Sequence, residues 1–169
     1  MMRFQFALIV IAVLAAPLVV ADDHSVESNA IAKIELLGGR VTRDETLPSR
    51  PVIAVEFQEN MRFNDGYLHL LKSFTSLTSL NLAGSRITDA GLKEIRDLKS
   101  LTLLNLYLTK VSDAGLRELV GLQNLTFLSL SNTNITDASM KEIGEFRKLK
   151  TLELEETQVT DDGDRKSNV

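Results

Sequence analysis

The chain has no cysteine and no tryptophan among its 169 residues. Without thiols there is no disulfide, no thiolate metal site and no cysteine nucleophile, so the fold must stand on packing and backbone hydrogen bonds. Aromatic residues amount to 5%, which leaves the core to aliphatic side chains, leucine above all in the second half. Basic charge is not in excess either. The formal net charge is -4 and no run of six like charges occurs, whereas a nucleic-acid binder needs a basic face. Histidine appears twice, with no Gly-x-Ser-x-Gly, His-Glu-x-x-His or glycine-rich phosphate loop beside it. Nucleophilic catalysis needs a base, a nucleophile and an orienting acid in one place. No such set can be picked out, so the sequence reads as a non-enzyme with no cofactor and no metal of its own.

One long apolar run is present. Arg3 precedes Phe6 to Ala16, Pro17 interrupts, and Val19-Val20-Ala21 places small residues before Asp22. That is the layout of a cleavable signal peptide over 1–21, with secretion or a periplasmic location as the consequence. An uncleaved membrane anchor is the other reading, near the shortest length that spans a bilayer. Without residues 1–21 no membrane partner is expected.

The second half is periodic. Residues 77–100, 101–124 and 125–148 align as blocks of 24, followed by a truncated copy over 149–169. An earlier copy over 52–76 has one extra residue after Asn60. Each block carries two spacings. Leu77-x-x-Leu80-x-Leu82 and its copies read as a short strand buried on one face. Leu92, Ile95 and Leu98 recur as Leu116, Leu119, Leu122 and as Met140, Ile143, Phe146, a helical spacing. One strand and one short helix cannot bury their own apolar faces, but stacked copies can, between a parallel sheet and a row of helices.

The repeated pattern LxxLxLxx(T/S)x(I/V)(T/S)DxGLxxLxxL resembles the leucine-rich repeat family, in a variant common in secreted bacterial proteins, over about 52–169. The resemblance implies an α/β solenoid of short parallel strands and short helices. It also implies an inward-turned polar residue after each strand, a place held here by Asn60, Ser85, Thr109, Thr133 and Thr157, where serine and threonine can bond loop backbone with a hydroxyl. It further implies a protein or peptide partner on the concave sheet face.

The rest of the chain reads as flanks. Residues 22–51 are expected to form an N-terminal cap: a helix over 25–37 stopped by Gly38-Gly39, then strand-like runs Arg40–Glu45 and Pro51–Phe57 around Leu47-Pro48-Ser49. A degenerate repeat strand through Ile31, Ile34, Leu36 and Val41 is the rival. At the other end Asp164 stands where earlier repeats place leucine, and no obvious cap follows.

Candidate chemistry is sparse. Asp65, Asp89, Asp113, Asp137 and Asp161 recur once per repeat and suggest either a calcium ladder or, with better physical grounds, carboxylates capping the helices that follow. His69 reads as a half-exposed helix residue. Cleavage after Ala21 would leave Asp22-Asp23-His24 at a new amino terminus, a square-planar copper or nickel geometry that also arises by chance. Asp161, Asp162 and Asp164 lack EF-hand spacing and read as a solvated end. Asn124 and Asn134 head glycosylation sequons, relevant only in a eukaryotic host.

Strand alternation fixes which side chains face outward. The columns are Ala54, Ser79, Leu103, Phe127, Thr151; then Glu56, Asn81, Asn105, Ser129, Glu153; then Gln58, Ala83, Tyr107, Ser131, Glu155. Large apolar residues on such a face mark a recognition patch or plain cross-strand packing. Leu103, Asn105, Tyr107, Phe127 and Ser129 are the candidate partner-contacting residues, and Glu56, Glu153 and Glu155 favour a basic partner or solubility. The alternative function is structural, with weak self-association through the edge Leu149–Glu155.

Overall fold

The computed structural model describes residues 23–57 and 62–160. Helix α1 (Asp23–Leu36) ends where the glycine pair predicts. Gly38 takes φ 85°, its N–H donates to the Glu35 carbonyl, and Gly39 N–H donates to Ile34. Those two bonds define a Schellman stop, whose left-handed residue is cheapest as glycine. Gly39 has a second reason to lack a side chain, because a Cβ there would collide with the Phe57 ring. The chain then forms β1 (Arg40–Arg43), which pairs antiparallel with β2 (Val52–Glu56), as the two strand-like runs suggested. The degenerate-strand reading of Ile31 and Ile34 is thereby replaced: both lie in α1.

Strands β3 (Ser79–Asn81), β4 (Leu103–Asn105), β5 (Phe127–Ser129) and β6 (Thr151–Glu153) follow at intervals of 24 residues. The sheet is six-stranded in chain order, and every pair after the first is parallel. Register is strict: Val55, Leu80, Leu104, Leu128 and Leu152 lie side by side. The first four are fully buried and Leu152, in the last coil, is half-buried. Each burial of a leucine contributes roughly 1.5–3 kcal/mol, and only a neighbouring coil supplies it.

The return segments are tighter than the expected α-helices. Asp65–Ser73 is a 3₁₀ helix, α2 (Asp89–Leu92) and α3 (Asp113–Leu119) are short, and Asp137–Ser139 is a 3₁₀ turn running into α4 (Met140–Ile143). After α2 the bonds Ile95 to Leu92, Leu98 to Ile95 and Leu101 to Leu98 all close three residues back. Leu92, Ile95 and Leu98 recur at steps of three, and three residues per turn is the 3₁₀ period. The spacing therefore specified turns that keep one stripe inward. No helix among the described residues is long and apolar enough to cross a membrane. Residues 1–21, with the expected signal segment, lie outside the described residues, as do the side chain of His24 and residues Gln58, Asn60, Asp161, Asp162 and Asp164.

Candidate functional site

Three sets of polar bonds recur along the coils before any partner is considered, the first closing within each coil and the other two joining one coil to the next. After β3, β4 and β6 a hydroxyl turns back on its own coil: Ser85 donates to Leu82 O at 2.6 Å, Thr109 to Leu106 O at 2.7 Å and Thr157 to Leu154 O at 2.7 Å. Thr133 repeats the bond to Leu130. Ser85, Thr109 and Thr133 are buried with a satisfied hydroxyl, as the resemblance implied, and Thr157 in the last coil is half-buried. Before β3, β4 and β5, the hydroxyls of Thr78, Thr102 and Thr126 donate to the carbonyls of Ile53, Thr78 and Thr102 in the preceding coils.

The third set corrects an expectation. The repeated aspartates are not the caps of their own helices. Thr88, Ser112 and Thr136 occupy the N-cap positions, with extended backbone, and each side-chain oxygen accepts the N–H two residues on. The aspartate follows as the first helical residue, and its carboxylate reaches into the next coil. Asp89 accepts the Ser112 N–H at 2.7 Å and the Ser112 hydroxyl at 2.6 Å. Asp65 does the same to Thr88, Asp113 to Thr136 and Asp137 to Thr160. Both carboxylate oxygens are thus committed to protein donors, and the calcium-ladder reading loses its ligands. Among the described residues no group of three or more acidic or histidine side chains is placed to hold a metal.

The stitch also explains the glycines. A Cβ on Gly115 would lie 3.0 Å from the Cα and Cγ of Asp89, and one on Gly91 would collide with Asp65. In the next coil Ser139 takes that place, and its hydroxyl donates to Asp113. Burial opposes ionisation of Asp113, yet the bonds from Ser139 and Thr136, helped by Arg117, outweigh it and hold the carboxyl below its ordinary value.

On the sheet face the register sets Ala54, Ser79, Leu103, Phe127 and Thr151 in one column and Glu56, Asn81, Asn105, Ser129 and Glu153 in the next, while Ser131 of the third expected column is buried. Leu103 and Phe127 are register partners on adjacent strands, both half-buried, with Ser79 and Thr151 on either side. Tyr107 continues the face beyond β4 at 40% exposure. Asn105 holds its own coil, since its Oδ1 accepts the Tyr107 N–H at 2.9 Å. Ser129 is corrected as a contact residue: it is 1% exposed, a short side chain flanked in register by the longer Asn105 and Glu153. His69 is exposed and bonded through Nδ1 to the Gly66 carbonyl.

One residue escaped the sequence reading. Leu108 is 46% exposed and has φ 53°. Its column is Gly84, Leu108, Asn132, Glu156, and all four take the left-handed conformation. The coil-to-coil ladder imposes it: Gly84 N–H donates to Tyr107 O, Leu108 N–H to Ser131 O and Asn132 N–H to Glu155 O. Glycine and asparagine tolerate this region, whereas leucine in it costs about 1–2 kcal/mol. The signal was available, because Gly84 and Asn132 mark the column as a left-handed turn in which a leucine is out of place.

Known proteins share this construction. A family model described as Leucine Rich repeat matches residues 75–95 and 121–144. Among solved structures, an internalin (inlF) from Listeria monocytogenes is 31% identical over 56% of this chain and 26% of its own, with a TM-score of 0.51. Internalin C2 from the same organism is 24% identical over 56% of this chain and 49% of its own, with a TM-score of 0.43. The leucine-rich-repeat ectodomain of the receptor kinase SOBIR1 from Arabidopsis thaliana is 16% identical over 80% of this chain and 94% of its own, with a TM-score of 0.46. The chain therefore spans about a quarter of the first internalin's length and about half of the second's. No curated protein matches it in sequence. The repeat in strict register, the inward hydroxyls of Ser85, Thr109 and Thr133, and the family-model match over residues 75–95 and 121–144 lead to one conclusion: the chain has a leucine-rich-repeat solenoid fold and is similar to the leucine-rich repeat family.

Proposed function

We propose that the chain is a protein- or peptide-binding module that works outside the cytoplasm through the exposed face of its parallel sheet. The observation that carries this reading is the pair Leu103 and Phe127, register partners on adjacent strands and neither taken into the core, with Tyr107 exposed beyond the end of β4. Stacked-repeat proteins use such extended sheet surfaces for binding, and aromatic and aliphatic groups on a rigid surface supply most of the affinity at protein interfaces. The signal-type layout of residues 1–21 supports an exported product. Replacing Leu103→Ser and Phe127→Ser together should remove partner capture while leaving the melting temperature close to that of the parent. Retained capture by a folded double variant refutes the face as the site.

Self-association is the second reading, and one observation favours it. Among the described residues β6 pairs only with β5, and Leu149, Leu152, Leu154 and Val159 are less buried than Leu125, Leu128, Leu130 and Ile135 one coil earlier. Glu153 and Glu155 argue against it, because like charges would meet across a joined parallel edge. Sedimentation at high concentration decides: a clean monomer removes this reading, and a dimer that survives the double serine change removes the first.

A further inference from the structure

We propose that the corner at the end of β4 is a docking point for an extended peptide segment of a partner protein. That segment carries an apolar anchor residue with a lysine or arginine two or three residues away. The inference rests on the binding-module reading above and names the chemistry of its partner. Its starting point is Tyr107-Leu108. The two are adjacent and both exposed, and Leu108 stands in a left-handed conformation that its column fills elsewhere with Gly84, Asn132 and Glu156. A leucine there adds nothing to the core and strains the backbone. An exposed residue kept at a cost to the fold points to a role outside the fold.

Charge decides what the anchor's neighbour must be. Two coils further on, the corresponding corner is Glu155-Glu156, with Glu153 on the strand before it. All three are exposed, and none forms a salt bridge among the described residues. Between them lie Ser131, buried, and Asn132, exposed and uncharged. Coils repeat at the strand spacing of about 4.8 Å, so the apolar corner and the acidic one are roughly 10 Å apart. An extended peptide rises about 3.3 Å per residue, which places two or three residues across that gap. The basic residue belongs on the acidic side only, because Lys110 and Arg86 stand exposed on the flank beside Leu108 and repel cations there.

The test pans a phage-displayed library of random peptides against the purified full chain. Three variants are run beside it: Leu108→Asn, Glu155→Gln with Glu156→Gln, and Leu103→Ser with Phe127→Ser. The parent should enrich peptides with an apolar residue followed or preceded at two or three residues by lysine or arginine. Leu108→Asn, which keeps the left-handed turn, should weaken a selected peptide about tenfold or more, as expected for losing one buried leucine contact. The glutamine pair should keep the apolar preference and lose the basic one. Loss on Leu103→Ser with Phe127→Ser but not on Leu108→Asn overturns the corner and leaves the face reading standing, and the reverse pattern does the opposite. No enrichment over an uncoated surface, enrichment of acidic peptides, or a dimer that Leu108→Asn dissociates each overturns the proposal.

Discussion

Gly115→Ala tests the carboxylate stitch, because two physical effects there have opposite signs. On helix propensity alone, alanine in place of glycine stabilises by about 1 kcal/mol. The close approach runs the other way. The added Cβ would stand 3.0 Å from Asp89 Cα, which is backbone, and would collide with the Asp89 carboxylate. The carboxylate must swing off Ser112, where it now accepts at 2.7 Å and 2.6 Å. Losing one such bond to a charged acceptor costs about 1.5–3 kcal/mol. The net expectation is a destabilisation of about 1–2 kcal/mol, which at a urea slope of roughly 2 kcal/mol/M lowers the midpoint by about 0.5–1 M. Gly121→Ala is the control, since the nearest obstacle there is the tip of the exposed, flexible Lys99 side chain, bonded to the Arg96 carbonyl. Equilibrium urea unfolding followed by circular dichroism measures both. A midpoint for Gly115→Ala that rises refutes the argument, because propensity would then have outweighed the contact.

Other outcomes follow from the same geometry. Leu106→Ala, in a fully buried position, should lose about 2–5 kcal/mol, while Asn105→Ala on the outer face loses far less; equal losses by denaturant titration would mean the strand phase is wrong. Asp113→Ala should cost more than Asp113→Asn, since the amide still offers an oxygen to the Thr136 N–H. Asp113 ionises more readily folded than unfolded, so its contribution to stability is present above the ordinary value of 3.8 and fades as pH falls through the lower folded value. Acid titration of Asp113→Asn should show a shallower loss in that window. Leu108→Asn should leave the melting temperature unchanged or raise it by a few degrees by relieving the strained turn, as read by calorimetry.

What the sequence made legible follows the period. Leu80, Leu82 and their copies fixed strand phase, and the glycine pair fixed the end of α1, because both signals act within one coil. The aspartate stitch was hidden because its partner lies 23 residues away, in the next coil. Read locally, an aspartate at a helix start is a cap; only stacking shows that the preceding threonine or serine holds that place. Ser129 was misplaced for a related reason, as alternation gives direction but not the shadow of longer neighbours. Leu108 was overlooked because a strained residue shows itself only when the column, and not the coil, is read.

The absence of cysteine opens the most direct test of the central claim, that the sheet face is where a partner binds. Single cysteines can be introduced as Thr151→Cys on that face and Lys141→Cys on the opposite side, both exposed positions, and each labelled with a photo-crosslinker. The labelled full chains are then irradiated with a peptide selected by the parent protein. Crosslinking from position 151 and little from position 141 is the predicted result. Equal crosslinking from both, or crosslinking from 141 alone, contradicts it.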